Sequence, residues 1–280
     1  MEVKEQIASR DYSALDIPEI LSLIFHPVSE VRSELPPGCI DYDVPVGDGV
    51  KVGVRCHLPE QDDAPNIIFF HGNGELASDY DTVGPSYNEQ GLGFIVADFR
   101  GYGWSGGEPT VSAMLKDSRE IFDFIKGKLT EMGRTGKLIV MGRSLGSASA
   151  LELAALRQDE LAGIIIESGF ANTCPLLATL GVDCDALGIK EENGIGNLPK
   201  IKDFLKPILI LHAQNDQIIP LTEAAALHAE CGAAAKELQM IPGADHNNIL
   251  EKTGRMYFEV LAQFVRKTGR PARRKKSGVR

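Results

Sequence analysis

The sequence predicts an α/β protein built on a mostly parallel, eight-stranded sheet with helices on both faces. First, two segments of alternating apolar residues, 40–46 and 50–58, flank Gly47-Asp48-Gly49 and predict an antiparallel hairpin. Second, six short apolar runs follow, and unbroken runs of this length are typical of strands covered on both faces. Third, glycine-bearing turns and helical stretches separate or follow these runs. Helices are predicted at roughly residues 77–90, 111–132, 147–157, 222–231 and 249–267. The six runs lie at residues 67–70, 94–97, 138–141, 164–166, 208–211 and 238–241.

The chain of 280 residues is long enough for one domain with a large core. We expect this domain to span residues 36–265, after an N-terminal helical extension at residues 1–35. Residues 173–203 are longer than an ordinary connection between strands, and they predict a small lid inserted into the domain. Residues 266–280 are strongly basic and predict a disordered tail.

Charge and composition exclude several classes of protein. The net charge is −10 although the last fifteen residues carry eight basic and no acidic side chains, so the remaining chain is strongly acidic. Such a surface disfavours nucleic acid as a partner because both are anionic. No apolar run approaches the roughly 20 residues of a membrane span, and no secretory signal is recognisable. We therefore expect a cytoplasmic protein without stable membrane insertion; the sequence does not indicate its oligomeric state.

The five cysteines do not form a recognisable framework. Their number is odd and they include no C-x-x-C pair, so the sequence predicts neither a set of disulfides nor a structural zinc site. They lie at positions 39, 56, 174, 184 and 231.

The motif Gly-Arg-Ser-Leu-Gly at residues 142–146 is the first candidate for chemistry. In a G-x-S-x-G motif the serine lies on a sharp turn from a strand to a helix, where flanking glycines relieve steric crowding. Residues 137–141 before the motif are mostly apolar, and residues 147–154 after it are good helix formers. We therefore predict that Ser144 is a nucleophile.

A second match to the same pattern, at residues 103–107, serves as an internal test. It follows a polar, aromatic loop, and Gly106-Gly107-Glu108-Pro109 cannot start a helix directly after Ser105. Ser105 is therefore predicted to be a loop residue.

Two backbone N–H groups are candidates to bind an oxyanion. The N–H of Leu145 lies at the start of the predicted helix, where free N–H groups and a partial positive charge are found. The N–H of Asn73 lies in His71-Gly72-Asn73-Gly74, directly after a strand, where glycines let the backbone approach a substrate. His71 itself is more simply interpreted as holding this loop in shape.

A serine hydroxyl needs a base to accept its proton, and the chain contains six histidines. His246 follows the last strand and precedes the C-terminal helix, where its ring can reach across the strand ends to Ser144. The other five precede the parallel strands or fit structural roles at strand ends and on a helix. We therefore predict that His246 is the base.

An acid must orient the histidine, and Asp216 is the best placed. It lies five residues after the strand at residues 208–211, in the loop before a helix. Glu167, at the end of the preceding strand, is a serious alternative. Asp245 is a weaker one, because it is too close to His246 along the chain to reach the ring easily.

From residue 23 to residue 264 the sequence resembles serine hydrolases of the α/β-hydrolase superfamily, in particular the serine aminopeptidase and Bem46-like group. The resemblance implies an α/β-hydrolase fold, the order Ser144, Asp216, His246 for the catalytic residues, oxyanion donors at Asn73 and Leu145, and neither a metal nor an organic cofactor. It does not specify a substrate. The motifs that carry it are Phe-His-Pro at 25–27, His-Gly-Asn-Gly at 71–74, Asp-Phe-Arg-Gly-Tyr-Gly-Trp-Ser-Gly-Gly at 98–107, Gly-Arg-Ser-Leu-Gly at 142–146, the segment 212–220 and Gly-Ala-Asp-His at 243–246.

These observations predict hydrolysis of a carboxylic ester, with a small-molecule acyl substrate, through an acyl-enzyme. Two alternatives stay within the same chemistry: an aminopeptidase-like peptidase and an acyl-thioesterase. A third belongs to another class, a noncatalytic protein that keeps the fold as a binding platform.

Overall fold

The eight predicted strands all form in the computed structural model, which describes residues 2–268 of the chain. They make one sheet, as the sequence predicts. In chain order they are Cys39–Pro45 (β1), Lys51–His57 (β2), Asn66–Phe70 (β3), Gly93–Ala97 (β4), Leu138–Arg143 (β5), Gly163–Glu167 (β6), Ile208–Ala213 (β7) and Lys236–Ile241 (β8).

The strand order is β1-β2-β4-β3-β5-β6-β7-β8. β1 pairs antiparallel with β2, and β2 pairs antiparallel with β4. The six strands from β3 to β8 are parallel to one another, because each connection between them crosses over through helical segments. The predicted arrangement of two antiparallel strands followed by six parallel ones is confirmed.

Helices cover both faces of this sheet. Within residues 2–268 they are Glu2–Ala8 (α1), Pro18–Ile24 (α2), Gly84–Glu89 (α3), Val111–Glu131 (α4), Gly146–Arg157 (α5), Thr173–Thr179 (α6), Asn197–Lys202 (α7), Leu221–Glu230 (α8), Ile249–Thr253 (α9) and Arg255–Lys267 (α10).

The core is split into two layers by the sheet, and β3 shows how. All five of its residues are buried, but Ile68 and Phe70 pack into one apolar cluster with α4 and α5, whereas Ile67 and Phe69 pack into another with α3 and α10. Successive side chains of a strand point to opposite faces, so a strand covered on both sides must be apolar throughout.

Two predicted helices are broken in the structure. A helix was expected over residues 77–90, but only a short 3-10 turn, Ala77–Tyr80, precedes α3, which has Pro85 in its first turn. Proline lacks the N–H that would continue the earlier turn. The last helix is interrupted at Gly254, whose φ is 52°, and gives α9 and α10.

The ends of the chain differ from the predicted division. The predicted N-terminal helical extension contains two helices, α1 and α2. The boundary expected after residue 265 falls inside α10, which ends at Lys267. Thr268 is buried against this last turn and its Oγ1 donates to the carbonyl of Val265. The rest of the predicted basic tail, residues 269–280, lies outside the described residues.

The predicted lid, residues 173–203, contains α6, a 3-10 turn at Glu191–Asn193 and α7. The N-terminal extension fastens this segment: Arg10 donates through Nη2 to the carbonyls of Glu192 and Gly194, at 2.6 and 2.9 Å. The predicted lid is therefore bonded to a part of the chain more than 180 residues away.

One feature of the topology positions the site. β3 has β4 on one side and β5 on the other, so the chain changes direction across the sheet at β3 and β5. Phe70 is paired with Gly142 in this parallel ladder, so the loops after the two strands leave the same edge side by side. Crevices at such a switch point are the usual ligand sites of open parallel sheets.

Candidate active site

Ser144 lies on a strained turn between β5 and α5. Its φ is 50°, in the left-handed region that a non-glycine residue seldom adopts, and its N–H donates to the carbonyl of Glu167 at 2.9 Å. The neighbouring chain leaves no room for a side chain at Gly146, where a Cβ would lie 2.1 Å from the Phe70 carbonyl oxygen. The motif thus forms the sharp strand-to-helix turn that the sequence predicts.

Ser144, His246 and Asp216 form a continuous hydrogen-bonded chain. His246 Nε2 lies 2.9 Å from Ser144 Oγ, and His246 Nδ1 lies 2.7 Å from Asp216 Oδ2. His246 is 7% and Asp216 8% exposed. The ring therefore joins the hydroxyl on one side to the carboxylate on the other, the geometry that a base-activated serine requires.

Asp216 is held by more than the histidine. Its Oδ1 accepts the N–H groups of Ile218 and Ile219, at 3.0 and 2.8 Å. Burial raises the pKa of Asp216, but the hydrogen bonds from His246 and Ile219 outweigh that effect and leave its pKa below the ordinary value. The carboxylate is thus ionised and fixed where it orients the ring.

The carboxylates of the two alternative acids, Glu167 and Asp245, bond to groups other than the His246 ring. Glu167 Oε2 accepts the hydroxyl of Tyr257 at 2.5 Å, and its Oε1 lies 3.3 Å from Arg143 Nε. Asp245 makes local bonds within its own turn, accepting the N–H of Asn247 at 2.9 Å. Of the three carboxylates, it is Asp216 that the structure places on the ring.

Two further histidines at strand ends have structural partners. His71 is fully buried, with Nδ1 2.7 Å from the carbonyl of Gly72 and Nε2 3.3 Å from Asp98. His212 Nε2 lies 2.7 Å from the carbonyl of Ile219, so it holds the loop that carries Asp216. Both hold loops of the site, and neither is hydrogen-bonded to Ser144 in the described part of the chain.

Ser105 is a loop residue, as the sequence predicts. Its Oγ accepts the N–H of Gly53 at 2.9 Å, so its hydroxyl joins the loop after β4 to the hairpin. No histidine bonds to it in the described chain, in contrast to Ser144.

Asn73 and Leu145 line the same cavity as Ser144. Within residues 2–268, neither backbone N–H donates a hydrogen bond to another protein group. The Asn73 side chain is anchored instead: its Oδ1 accepts the His26 N–H at 2.8 Å and the Tyr102 hydroxyl at 2.7 Å. This anchoring keeps the His-Gly-Asn-Gly loop in place.

A cavity of about 330 Å³ opens onto Ser144. Seven aliphatic residues line it together with polar residues that include Ser144 and His246. Two of the seven come from the end of α2, one directly follows Ser144, two come from the predicted lid and two from the loop after Asp216. The seven are Leu23, Ile24, Leu145, Leu176, Leu180, Ile218 and Ile219.

Sequence reasoning does not place the N-terminal extension at the site. Its apolar spacing predicts a helix that packs on the core, but not which part of the core it covers. In the structure Leu23 and Ile24 line the cavity, and His26 Nδ1 lies 2.7 Å from Asn73 Nδ2. The Phe-His-Pro motif at residues 25–27 was the available signal.

A comparison with family models matches residues 61–180 to the family described as serine aminopeptidase, S33. Protein bem46 of Schizosaccharomyces pombe is 26% identical over 77% of this chain and 73% of its own length. Human alpha/beta hydrolase domain-containing protein 17B is 30% identical over 71% of this chain and 65% of its own.

Among solved structures, the Pyrococcus furiosus esterase Pf2001 superposes with a TM-score of 0.69 at 18% identity. The alignment covers 86% of this chain and 98% of that one. At this identity the likeness concerns the fold, and it confirms the fold that the sequence predicts.

None of the helices in residues 2–268 is both long enough and apolar enough to cross a membrane. The cytoplasmic location expected from the sequence stays a prediction.

Proposed function

This chain is a member of the α/β-hydrolase superfamily, and we propose that it is a serine hydrolase that cleaves carboxylic esters through an acyl-enzyme. The observation that carries the proposal is the hydrogen-bonded chain from Ser144 through His246 to Asp216. The superfamily hosts many activities, so the argument for this one rests on the site and not on the fold.

The proposed reaction begins with attack of Ser144 Oγ on the ester carbonyl while His246 Nε2 accepts the hydroxyl proton. Asp216 holds the Nδ1–H of the ring and stabilises the imidazolium that forms. The negative charge that develops on the carbonyl oxygen is bound by the N–H groups of Asn73 and Leu145. His246 then protonates the departing alcohol, which leaves the acyl group on Ser144.

The second half of the reaction uses the same groups. A water molecule takes the place of the alcohol, His246 accepts one of its protons, and the resulting hydroxide attacks the acyl-serine. Collapse of the second tetrahedral intermediate releases the carboxylic acid and returns the proton to Ser144. The reaction consumes one water molecule and needs no redox partner.

The cavity supports an apolar acyl group as the part of the substrate that is recognised. Binding of such a group against the aliphatic walls removes apolar surface from water, which favours binding by roughly 25 cal/mol per Å² of buried apolar area. The Pyrococcus furiosus protein is called an esterase, which is consistent with the same activity here.

The aminopeptidase alternative finds less support in the same walls. A free α-ammonium group needs a carboxylate partner. The cavity lining assigned within the described chain contains no Asp or Glu. The carboxylates bonded to lining residues already have partners: Glu75 and Glu167 pair with Arg143, and Asp216 is bonded to His246.

A panel of substrates tests the proposal. We expect p-nitrophenyl esters to be hydrolysed faster than matched acyl-thioesters or aminoacyl-anilides, and an acyl chain longer than acetyl to be preferred. The activity should be absent from the Ser144→Ala variant. Faster cleavage of the anilides than of the esters would favour a peptidase, and no Ser144-dependent turnover by the folded protein would favour a noncatalytic binding protein.

A further inference from the structure

Arg143, the residue before the nucleophile, connects the separate loops of the site. Its side chain is only 13% exposed, and its guanidinium reaches three segments of the chain that are distant in sequence. These contacts are independent of the hydrogen bonds between Ser144, His246 and Asp216.

The first segment is the loop that carries Asn73. Arg143 Nη1 pairs with Glu75 Oε1, and the other carboxylate oxygen of Glu75 accepts the N–H of Gly72 at 2.7 Å and the hydroxyl of Tyr80 at 2.8 Å. A Cβ on Gly72 would lie 2.6 Å from Arg143 Nη1, so a larger residue there would force the guanidinium to move. Arg143 is therefore packed directly against the residue before Asn73.

The second segment is the loop that carries the base. Arg143 Nη2 donates to the backbone carbonyl of His246 at 2.8 Å and to Asn247 Oδ1 at 3.3 Å. The bond to the carbonyl leaves the imidazole free for Ser144 and Asp216 and fixes the backbone from which the ring projects.

The third segment is the end of β6. Arg143 Nε lies 3.3 Å from Glu167 Oε1, and the backbone carbonyl of Glu167 accepts the N–H of Ser144 at 2.9 Å. Glu167 is thereby connected both to the arginine and to the turn that bears the nucleophile. Its second oxygen is taken by Tyr257.

The shape of the arginine side chain explains these contacts. A guanidinium offers five N–H donors in a rigid planar fork, whereas an ammonium group is a single point of charge. It also places one positive charge between the carboxylates of Glu75 and Glu167, which are 23% and 6% exposed. Without it two partly buried carboxylates would lose their cationic partner, at a cost in free energy.

We infer that Arg143 is a positioning residue, which holds the oxyanion loop and the base loop at a fixed distance from each other across Ser144. This inference rests on the proposed function, since it assigns Asn73 and His246 to one reaction. Loss of the connection would displace donor and base relative to the nucleophile while leaving the aliphatic walls of the cavity unchanged.

Arg143→Met and Arg143→Lys test the inference, with Arg157→Met as the matched control. Arg157 also pairs with a carboxylate, Asp123, but at the far end of α5. Lysine keeps the charge near Glu75 but cannot bond to all three segments at once.

We expect kcat for a p-nitrophenyl ester to fall about 10- to 100-fold in Arg143→Met, because small displacements of reacting groups are costly, with KM little changed. The kcat of Arg143→Lys should lie between the values for Arg143→Met and the wild type.

Amide hydrogen exchange provides a readout that does not depend on turnover. Arg143→Met and Arg143→Lys should accelerate exchange in residues 72–76 and 244–249 together, whereas Arg157→Met should leave both loops as in the wild type. Wild-type kcat and wild-type protection of both loops in Arg143→Lys would overturn the inference. If the wild type showed no Ser144-dependent activity, the proposed function would fail, and the joint exchange of the two loops would still decide whether Arg143 couples them.

Discussion

The His246 ring lies 2.9 Å from the Ser144 hydroxyl, although 102 residues separate them in the chain. The fold produces this contact because β5 and β8 both end at the same edge of the sheet, and each is followed at once by a short loop. The nucleophile belongs to the loop after β5 and the base to the loop after β8, so the sheet sets their distance.

Replacing Asp216 with asparagine should lower kcat by about 10²- to 10⁴-fold with little change in the fold. An amide in place of the carboxylate can donate to Nδ1, which favours the ring tautomer that cannot accept the serine proton. Steady-state kinetics with one p-nitrophenyl ester measures the loss.

Glu167→Gln is the matched control for that change, because both residues were candidates for the acid. Glu167 bonds to Tyr257 and Arg143 and not to the ring, so its variant should lose far less activity. Wild-type kcat in Asp216→Asn together with a large loss in Glu167→Gln would reverse the assignment.

Enlarging a side chain in the wall of the cavity should shorten the acyl chain that is accepted. Leu176 and Leu180 are four residues apart on the lid and face the cavity together. Leu176→Trp should reduce kcat/KM for an octanoyl ester by about tenfold relative to an acetyl ester, since a few methylene groups are excluded. Leu205→Trp, at an exposed position outside the cavity, should leave the chain-length profile as it is. An unchanged profile in Leu176→Trp would contradict the cavity as the acyl site.

Two glycine-to-alanine changes should have opposite effects on stability. At Gly146 the added Cβ would lie 2.1 Å from the Phe70 carbonyl oxygen, so Gly146→Ala should lower both the free energy of unfolding and the activity. Gly127 lies within α4, one turn before its end, with no atom within 4 Å of an added Cβ, so Gly127→Ala should raise the free energy of unfolding by ~0.5–1 kcal/mol. Urea unfolding measures the free energy of unfolding of both variants. Wild-type stability in Gly146→Ala would show that the turn is not tightly packed.

Stability should decrease as the solution becomes acidic, partly because of His57. Burial lowers the pKa of His57 below its ordinary value of 6.5. Below pH 6.5 the unfolded chain therefore binds a proton that the folded chain does not, and the free energy of unfolding falls by up to about 1.4 kcal/mol per pH unit until the folded pKa is reached. In His57→Gln the free energy of unfolding, measured by urea unfolding at several pH values, should decrease less steeply between pH 7.5 and 5.5. The same slope in both proteins would contradict a neutral, buried His57.

The site residues that sequence reasoning identified have a local signal. Ser144 is embedded in a pattern of strand, glycine turn and helix, and Asp216 and His246 both follow apolar runs that could be recognised as strands. Because parallel strands share one edge, residues after their carboxyl ends are predicted to meet even when their distance along the chain is large.

The remaining parts of the site have no such signal. Arg143 and Glu75 are 68 residues apart, and nothing in the flanking sequence of either indicates that they pair. The apolar spacing of α2 predicts a buried face but not that Leu23 and Ile24 line a cavity. The break of the last helix at Gly254 was also missed, since one glycine is compatible with either a helix or a turn.

Covalent labelling with a fluorophosphonate, followed by peptide mass spectrometry, tests the central claim most directly. The wild type should acquire one adduct on the peptide that contains Ser144, the Ser105→Ala variant should be labelled at the same rate, and Ser144→Ala should not be labelled. A folded wild-type protein without an adduct, or an adduct that persists in Ser144→Ala, would contradict the assignment of Ser144 as an activated nucleophile.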